Sequence, residues 1–132
     1  HPLLDVQGPV TLEQLVNYPI ITYEQGYTGR SHIDEAFQAQ NLRPDVVLTA
    51  MDADVIKTYV ELGMGVGIVA SVALDPDRDR NLRILDAGHL FQVNVTRLGL
   101  RQGAWLRGYA YSFIELFVPT LTRDVVARAL AG

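Results

Sequence analysis

An α/β fold built on a small, mostly parallel sheet is predicted for this 132-residue chain by three observations. Short β-branched runs alternate with segments of helical period over the first half of the chain. The run "GVGIVAS" (Gly65 to Ser71) is almost continuously apolar, as expected of a strand covered by helices on both faces. Turn glycines or capping residues, Gly26, Asp52 and Gly63, stand at the junctions between these segments.

The elements follow in order. Thr11 precedes "LEQLVNY" with Gln14 three residues on, the pattern of a capping box, so a short helix with Leu12, Leu15 and Val16 inward is expected, ended by Pro19. "IITY" (Ile20 to Tyr23) reads as a short buried strand. From Arg30 to Gln40, Ile33, Ala36 and Phe37 recur at helical spacing, and Asn41 and Pro44 close that helix. "DVVLTA" (Asp45 to Ala50) is the next strand. "DADVIKTYVELG" follows as a helix with Asp52 as N-cap, Val55, Ile56, Tyr59 and Leu62 inward, and Gly63 at its C-terminal cap. After "GVGIVAS", "DPDRDRN" is a polar turn, "LRILD" (Leu82 to Asp86) a further strand, and "VNVTRLGLR" (Val93 to Arg101) a half-exposed strand of period two. A helix from Trp105, stopped by Pro119, carries Trp105, Leu106, Tyr109, Phe113, Ile114 and Phe117 on its apolar face, and a last helix follows an N-cap at Thr122. These two helices hold more apolar surface than a small sheet beside them needs, so they are expected to pack on something outside this chain or on a second copy.

Composition narrows the function classes. A hydrophobic content of 48% with 20% charged residues is ordinary for one globular domain. No apolar run approaches the roughly 18–20 residues of a membrane span, and no basic n-region with an apolar h-region opens the chain. A soluble, cytoplasmic protein is expected, with no membrane association. Cysteine is absent, which removes disulfides and thiolate metal sites. The net charge is −4, and Arg78, Arg80 and Arg83 are interleaved with Asp75, Asp77 and Asp79, so no broad positive face is expected to track phosphates. The chain opens on His1-Pro2 without an initiator methionine, which suggests a portion of a longer protein.

Few motifs carry chemistry. "GMGVG" (Gly63 to Gly67) precedes a strand instead of opening a helix, so it reads as a helix cap followed by close packing and not as a pyrophosphate loop. Asp52 and Asp54 have a spacing that hard cations use, but further carboxylates are lacking, and N-capping is the simpler role; no metal is expected. His1, His32 and His89 are scattered, and His32 reads as a solvated residue in a first helical turn. With no HExxH pair, no GxSxG elbow and no activated nucleophile, no catalytic residue and no cofactor are assigned. "GYTGRS" (Gly26 to Ser31) follows a strand and opens a helix. It lacks the spacing of a Walker loop, yet Gly26 and Gly29 permit close backbone approach, amides around Gly29 to Ser31 face outward, and Thr28 and Ser31 add hydroxyls. A small-anion site and a plain helix cap both fit.

The sequences "YPIITYEQGYTGRSHIDEAF", "DADVIKTYVELGMGVGIVAS", "DPDRD" and "FIELFVPTLTRDVV" together resemble the CysB-type branch of the LysR family of bacterial transcription regulators, over nearly all of the chain. The resemblance implies a periplasmic-binding-protein-like (type 2) fold, three-layered, in which two α/β lobes enclose a small anion. Residues 1–92 would be the second lobe, incomplete at its N-terminus, and residues 93–132 a returning hinge strand with helices that pack on the first lobe. It further implies sensing of acetylserine, sulfate or thiosulfate in the control of sulfur assimilation and cysteine biosynthesis, with DNA bound only through an N-terminal helix-turn-helix absent from this chain. Thr28 would contact the ligand, with Gly26, Tyr27, Gly29 and Ser31 as motif context. Met51 stands where relatives often carry threonine, and Glu24-Gln25 replaces a less charged pair beside the pocket; a carboxylate at Glu24 works against a divalent anion, which leaves the choice among these ligands open. A homo-oligomer is expected, with a tail-exchanged dimer as one form of this chain.

The expected protein is therefore a non-enzymatic sensor. A solute-binding protein lobe for a small oxyanion or amino-acid derivative is the alternative, and an enzyme acting on phosphate esters through "GYTGRS" is a third reading that lacks a base and a metal.

Overall fold

The computed structural model describes residues 1–132 with the exception of the Thr28 side chain. Residues 1–94 and 95–132 form two compact units.

In the first unit the order is α1 (Leu12–Leu15), β1 (Ile20–Tyr23), α2 (Thr28–Ala39), β2 (Val46–Ala50), α3 (Ala53–Glu61) and β3 (Val66–Gly67), with a 3₁₀ turn over Pro2–Asp5 and others at Ser71–Ala73 and Gly88–Leu90. The sheet is entirely parallel in the order β2-β1-β3. Strand alternation separates its two faces. Ile20 joins Leu12, Leu15, Ile33 and Phe37 on the face covered by α1 and α2, whereas Ile21 joins Ile56 on the face covered by α3. An irregularity in the β1–β2 register between Ile20 and Ile21 lets Val46 pack on the first face and Leu48 on the second, although residues two positions apart ordinarily share a face. Ile20, Ile21 and Ile56 are fully buried. Each contributes about 1.5–3 kcal/mol of hydrophobic stabilisation.

Local chemistry sets the helix ends. Thr11 and Gln14 form the expected capping box, and Asp52 Oδ1 accepts from the Val55 N–H at 2.9 Å. Asn41 takes a left-handed φ of 55° beyond α2, with Asn41 N–H donating to Gln38 O and Leu42 N–H to Phe37 O, a Schellman closure. Gly63 does the same beyond α3 at φ 77°, with donors Gly63 and Met64 and acceptors Val60 and Tyr59.

Several expectations are corrected. The helix after β1 starts at Thr28 and not at Arg30. On α3, Val55 and Leu62 are exposed; the inward positions are Ile56, Tyr59 and Val60, joined by Lys57, because Leu62 lies past the last helical turn. The third strand is two residues long and pairs only with Ile20 and Ile21 of β1, although Ile68 N–H still donates to Ile21 O. Neither Leu82–Asp86 nor Val93–Arg101 forms a strand among the described residues. Alternation supplies a face, but neither segment has a ladder partner.

In the second unit α4 (Gly108–Phe117) packs on α5 (Arg123–Ala131) through Ile114, Val126 and Leu130. The helix begins after Trp105 and Leu106, not at Trp105, its first bond running from Ala110 N–H to Arg107 O. Val118 is extended ahead of Pro119, which ends it. Thr122 caps α5 through its carbonyl alone, with no side-chain bond. Tyr109, Phe113, Leu116 and Phe117 are more than half exposed, as is Trp105. The apolar excess read from the sequence is thus real surface.

Candidate functional site

The strand order sets a topological switch point. From β1 the chain passes to β2 on one side and then crosses to β3 on the other, so the carboxyl ends of β1 and β3 flank the topological switch point, where open α/β sheets bind ligands. "GYTGRS" leaves β1 at this point. Gly26 adopts φ 94°, a left-handed conformation open to glycine at no steric cost, and it turns the chain into α2. Tyr27 is the N-cap, exposed and in extended conformation, and its side chain makes no capping bond. No side-chain cap therefore covers the positive end of the α2 dipole at this turn.

The donors differ from those read in the sequence. Arg30 N–H bonds back to Tyr27 O at 3.0 Å, and Ser31 lies beyond the first turn at the surface. Gly29 stands at the second position of the helix, where the main-chain amide has no acceptor within the helix. Gly26, Tyr27, Gly29 and Ser31 are thus brought to one turn, while the Thr28 side chain, the centre of the expected site, lies outside the described residues.

Arg30 is not an anion ligand waiting at the surface. It is 8% exposed, with Nε donating to Asp34 Oδ1 at 2.7 Å and Nη1 donating to the Tyr23 carbonyl at 3.0 Å. The Tyr23 hydroxyl in turn accepts from Ala70 N–H at 3.1 Å, and Thr22 Oγ1 donates to Ile68 O at 3.2 Å. The ends of β1 and β3 are tied together beneath the turn. Glu24 donates its N–H to Ala50 O at the end of β2, and its side chain is exposed. His32 is partly buried and its Nδ1 is shielded from solvent without a hydrogen-bond partner, which corrects the expectation of a solvated histidine.

A second polar cluster lies on α3. Lys57 Nζ donates to Ala73 O at 2.9 Å and Asp79 Oδ2 at 3.0 Å, and pairs with Asp54 at 3.0 Å, which uses its three donors. The hydrogen bond to Asp54 and then that to Asp79 raise the lysine above its ordinary range, against the opposing effect of burial. Asp79 is held below the usual carboxylate range first by the Asp75 N–H and next by Lys57. Asp52 caps and Asp54 pairs, so the "MDAD" carboxylates are both engaged in structure. Burial of Arg30 and Lys57 escaped sequence reasoning, for their acceptors come from other segments. "GMGVG" does pack closely: a Cβ at Gly65 would collide with the Pro19 carbonyl oxygen, and one at Gly67 would stand 2.8 Å from Val60 Cγ2.

Comparison with known proteins decides the family. Residues 1–122 match the LysR substrate binding domain. The chain belongs to that family. This LysR domain is 56% identical over all of its length to the HTH-type transcriptional regulator CysB of Burkholderia cenocepacia, and 58% identical over 98% of its length to SsuR of the same organism. It spans 42% of the length of each of these curated relatives. A crystal structure of the cofactor-binding domain of the Cbl transcriptional regulator matches with a TM-score of 0.84 and 45% identity, covering 98% of this chain and 57% of that one. The resemblance to CysB-type regulators holds, and the fold is of the type 2 periplasmic-binding-protein-like class. These relatives are transcription regulators, not enzymes. No helix among the described residues is long and apolar enough to cross a membrane.

Proposed function

We propose that this LysR domain is the second lobe of the effector-binding region of a sulfur-assimilation regulator, with residues 1–92 forming that lobe. Its site would be the turn Gly26, Tyr27, Thr28, Gly29 and Ser31, and its effector a small anion of the acetylserine, sulfate or thiosulfate kind. Match over the whole chain to CysB and SsuR carries the reading. An uncapped helix start at the sheet's switch point supports the placement, because it offers amide donors where a single lobe would supply one wall of a two-walled cleft. Ligand there biases the two lobes relative to each other, and through them the DNA-binding arms of the complete regulator. Such a protein works beside the chromosome, in the cytoplasm.

Residues 93–132 would return through the hinge, and the aromatic face of α4 would pack on the first lobe. Without that cover, the chain associates with itself, by tail exchange as one route. Thr28→Ala in the complete regulator tests the site. Loss of one hydrogen bond to a charged ligand weakens effector binding about tenfold or more, with the thermal midpoint unchanged. Normal binding of acetylserine, sulfate and thiosulfate by that variant would remove Thr28 from the site.

A further inference from the structure

We propose that Tyr23 and Arg30 are positioning residues for the ligand turn: together they clamp both ends of the Glu24–Gly29 segment and lock it to the segment beyond β3. The inference rests on the assignment of that turn as the effector site, and adds two residues that touch no ligand.

Tyr23 is held from three directions. Its carbonyl accepts from Arg30 Nη1 at 3.0 Å, and its hydroxyl accepts from the Ala70 N–H at 3.1 Å. Its ring lies beneath Gly29, where an added Cβ would stand 3.3 Å from Cδ2 and 3.4 Å from Cε2. Arg30 is held as well, because Asp34, one turn further along α2, fixes Nε at 2.7 Å. The result is a continuous chain from Asp34 through Arg30 and Tyr23 to Ala70, which joins the second turn of α2, the last residue of β1 and the segment beyond β3.

A buried guanidinium is costly unless its donors are met, so an arginine is a demanding way to satisfy one strand-end carbonyl. What the arginine adds is geometry. Its planar fork binds a main-chain oxygen and a carboxylate at fixed angles, which a water or a lysine does not reproduce. Only six residues lie between the two clamped positions, and the left-handed Gly26 is among them. With both ends fixed, the direction of the Gly29 amide and the height of the turn above the switch point are fixed too. A ligand meets preorganised donors and does not have to order them.

The same chain explains why the arginine of "GYTGRS" does not itself read the ligand's charge. Its guanidinium lies inside the fold, with Nε held by Asp34 and Nη1 by the Tyr23 carbonyl.

The test uses the complete regulator and titration calorimetry with acetylserine, sulfate and thiosulfate, each variant paired with its thermal midpoint. Tyr23→Phe keeps the ring and removes the acceptor for Ala70, and should weaken the bound anion about three- to tenfold at a temperature where the variant is fully folded. Arg30→Gln should weaken it at least as much, and Arg30→Lys should recover part of that loss. In a Thr28→Ala background the Tyr23→Phe effect should shrink by half or more, since both act on one turn; a merely structural role adds independently. Wild-type affinity in folded Tyr23→Phe and Arg30→Gln overturns the proposal, as does an equal loss in both backgrounds. If Thr28→Ala alone abolishes binding, the lysine rescue decides. A regulator that binds none of the three anions overturns the site and this inference together, whereas loss in Thr28→Ala with full affinity in Tyr23→Phe overturns this inference alone.

Discussion

Lys57 Nζ lies 3.0 Å from Asp79 Oδ2, between two side chains that are 9% and 8% exposed. The contact fastens the turn after β3 to α3, for Lys57 also reaches Ala73 O, and Asp79 closes its own turn through the Asp75 N–H. Removal of Asp79 leaves Lys57 with Asp54 and the Ala73 carbonyl, whereas removal of Lys57 leaves the buried Asp79 carboxylate with the Asp75 N–H and no countercharge in contact, the costlier loss.

Stability should therefore depend on pH at both extremes. Asp79 is held below the usual carboxylate range, so its contribution is present above that range and is lost as pH falls through its lowered folded value. Lys57 is raised, so its contribution is complete below the ordinary lysine range and is lost as pH rises through its raised folded value. Urea midpoints measured from acid to alkaline pH should fall at both ends for the native chain. In Asp79→Asn the acid-side fall should be shallower; an identical acid limb would show that Asp79 is not its source.

Gly67 faces α3 at contact distance, with Val60 Cγ2 2.8 Å and Ile56 Cγ2 3.2 Å from an added Cβ. Gly67→Ala should cost about 1–3 kcal/mol by overpacking, read from urea unfolding. A second change, Val60→Ala, should recover part of that cost, since the space freed is the space the new methyl needs. No recovery would place the strain in the backbone.

Asn41 closes α2 at φ 55°. Asn41→Gly should be neutral to slightly stabilising, whereas Asn41→Val should cost about 1–2 kcal/mol, because a β-branched residue is an outlier in the left-handed region. Thermal denaturation of the two variants against the native chain separates these outcomes.

The exposed aromatic face of α4 should drive self-association. Phe113 and Phe117 stack with nearly parallel rings, centroids 6.2 Å apart, and Leu116 is 83% exposed. The 132-residue chain should elute as a dimer at micromolar concentration, and Phe113→Ser with Leu116→Ser should return it to a monomer. A native chain that runs as a monomer sinks this expectation.

What was legible in the sequence was whatever short-range chemistry determines. Thr11 with Gln14, Asp52 ahead of α3, Asn41 and Gly63 each act within five residues of themselves, and each performs the end-capping that its type and place imply. Strands β1 and β2 were legible because β-branched runs between breakers have few other solutions. Leu82–Asp86 and Val93–Arg101 carry the same composition but lack a partner strand, which no local pattern reveals. Among site residues, the clustering of Gly26 to Ser31 followed from adjacency. The burial of Arg30 did not, because its acceptor is the carbonyl of Tyr23, at the end of the preceding strand, and that depends on how α2 sits on the sheet.

The strand order β2-β1-β3 also imposes a timetable on synthesis. Ile20–Tyr23 leaves the ribosome first, yet one edge waits for Val46–Ala50 and the other for Val66–Gly67. Through that interval the most buried strand of the sheet has unpaired main-chain groups on one or both sides, and such a nascent strand is prone to pair with the wrong chain. Slow translation between codons 24 and 67 would lengthen this exposure, whereas a chaperone resting on "IITY" would cover it until Ile68 arrives.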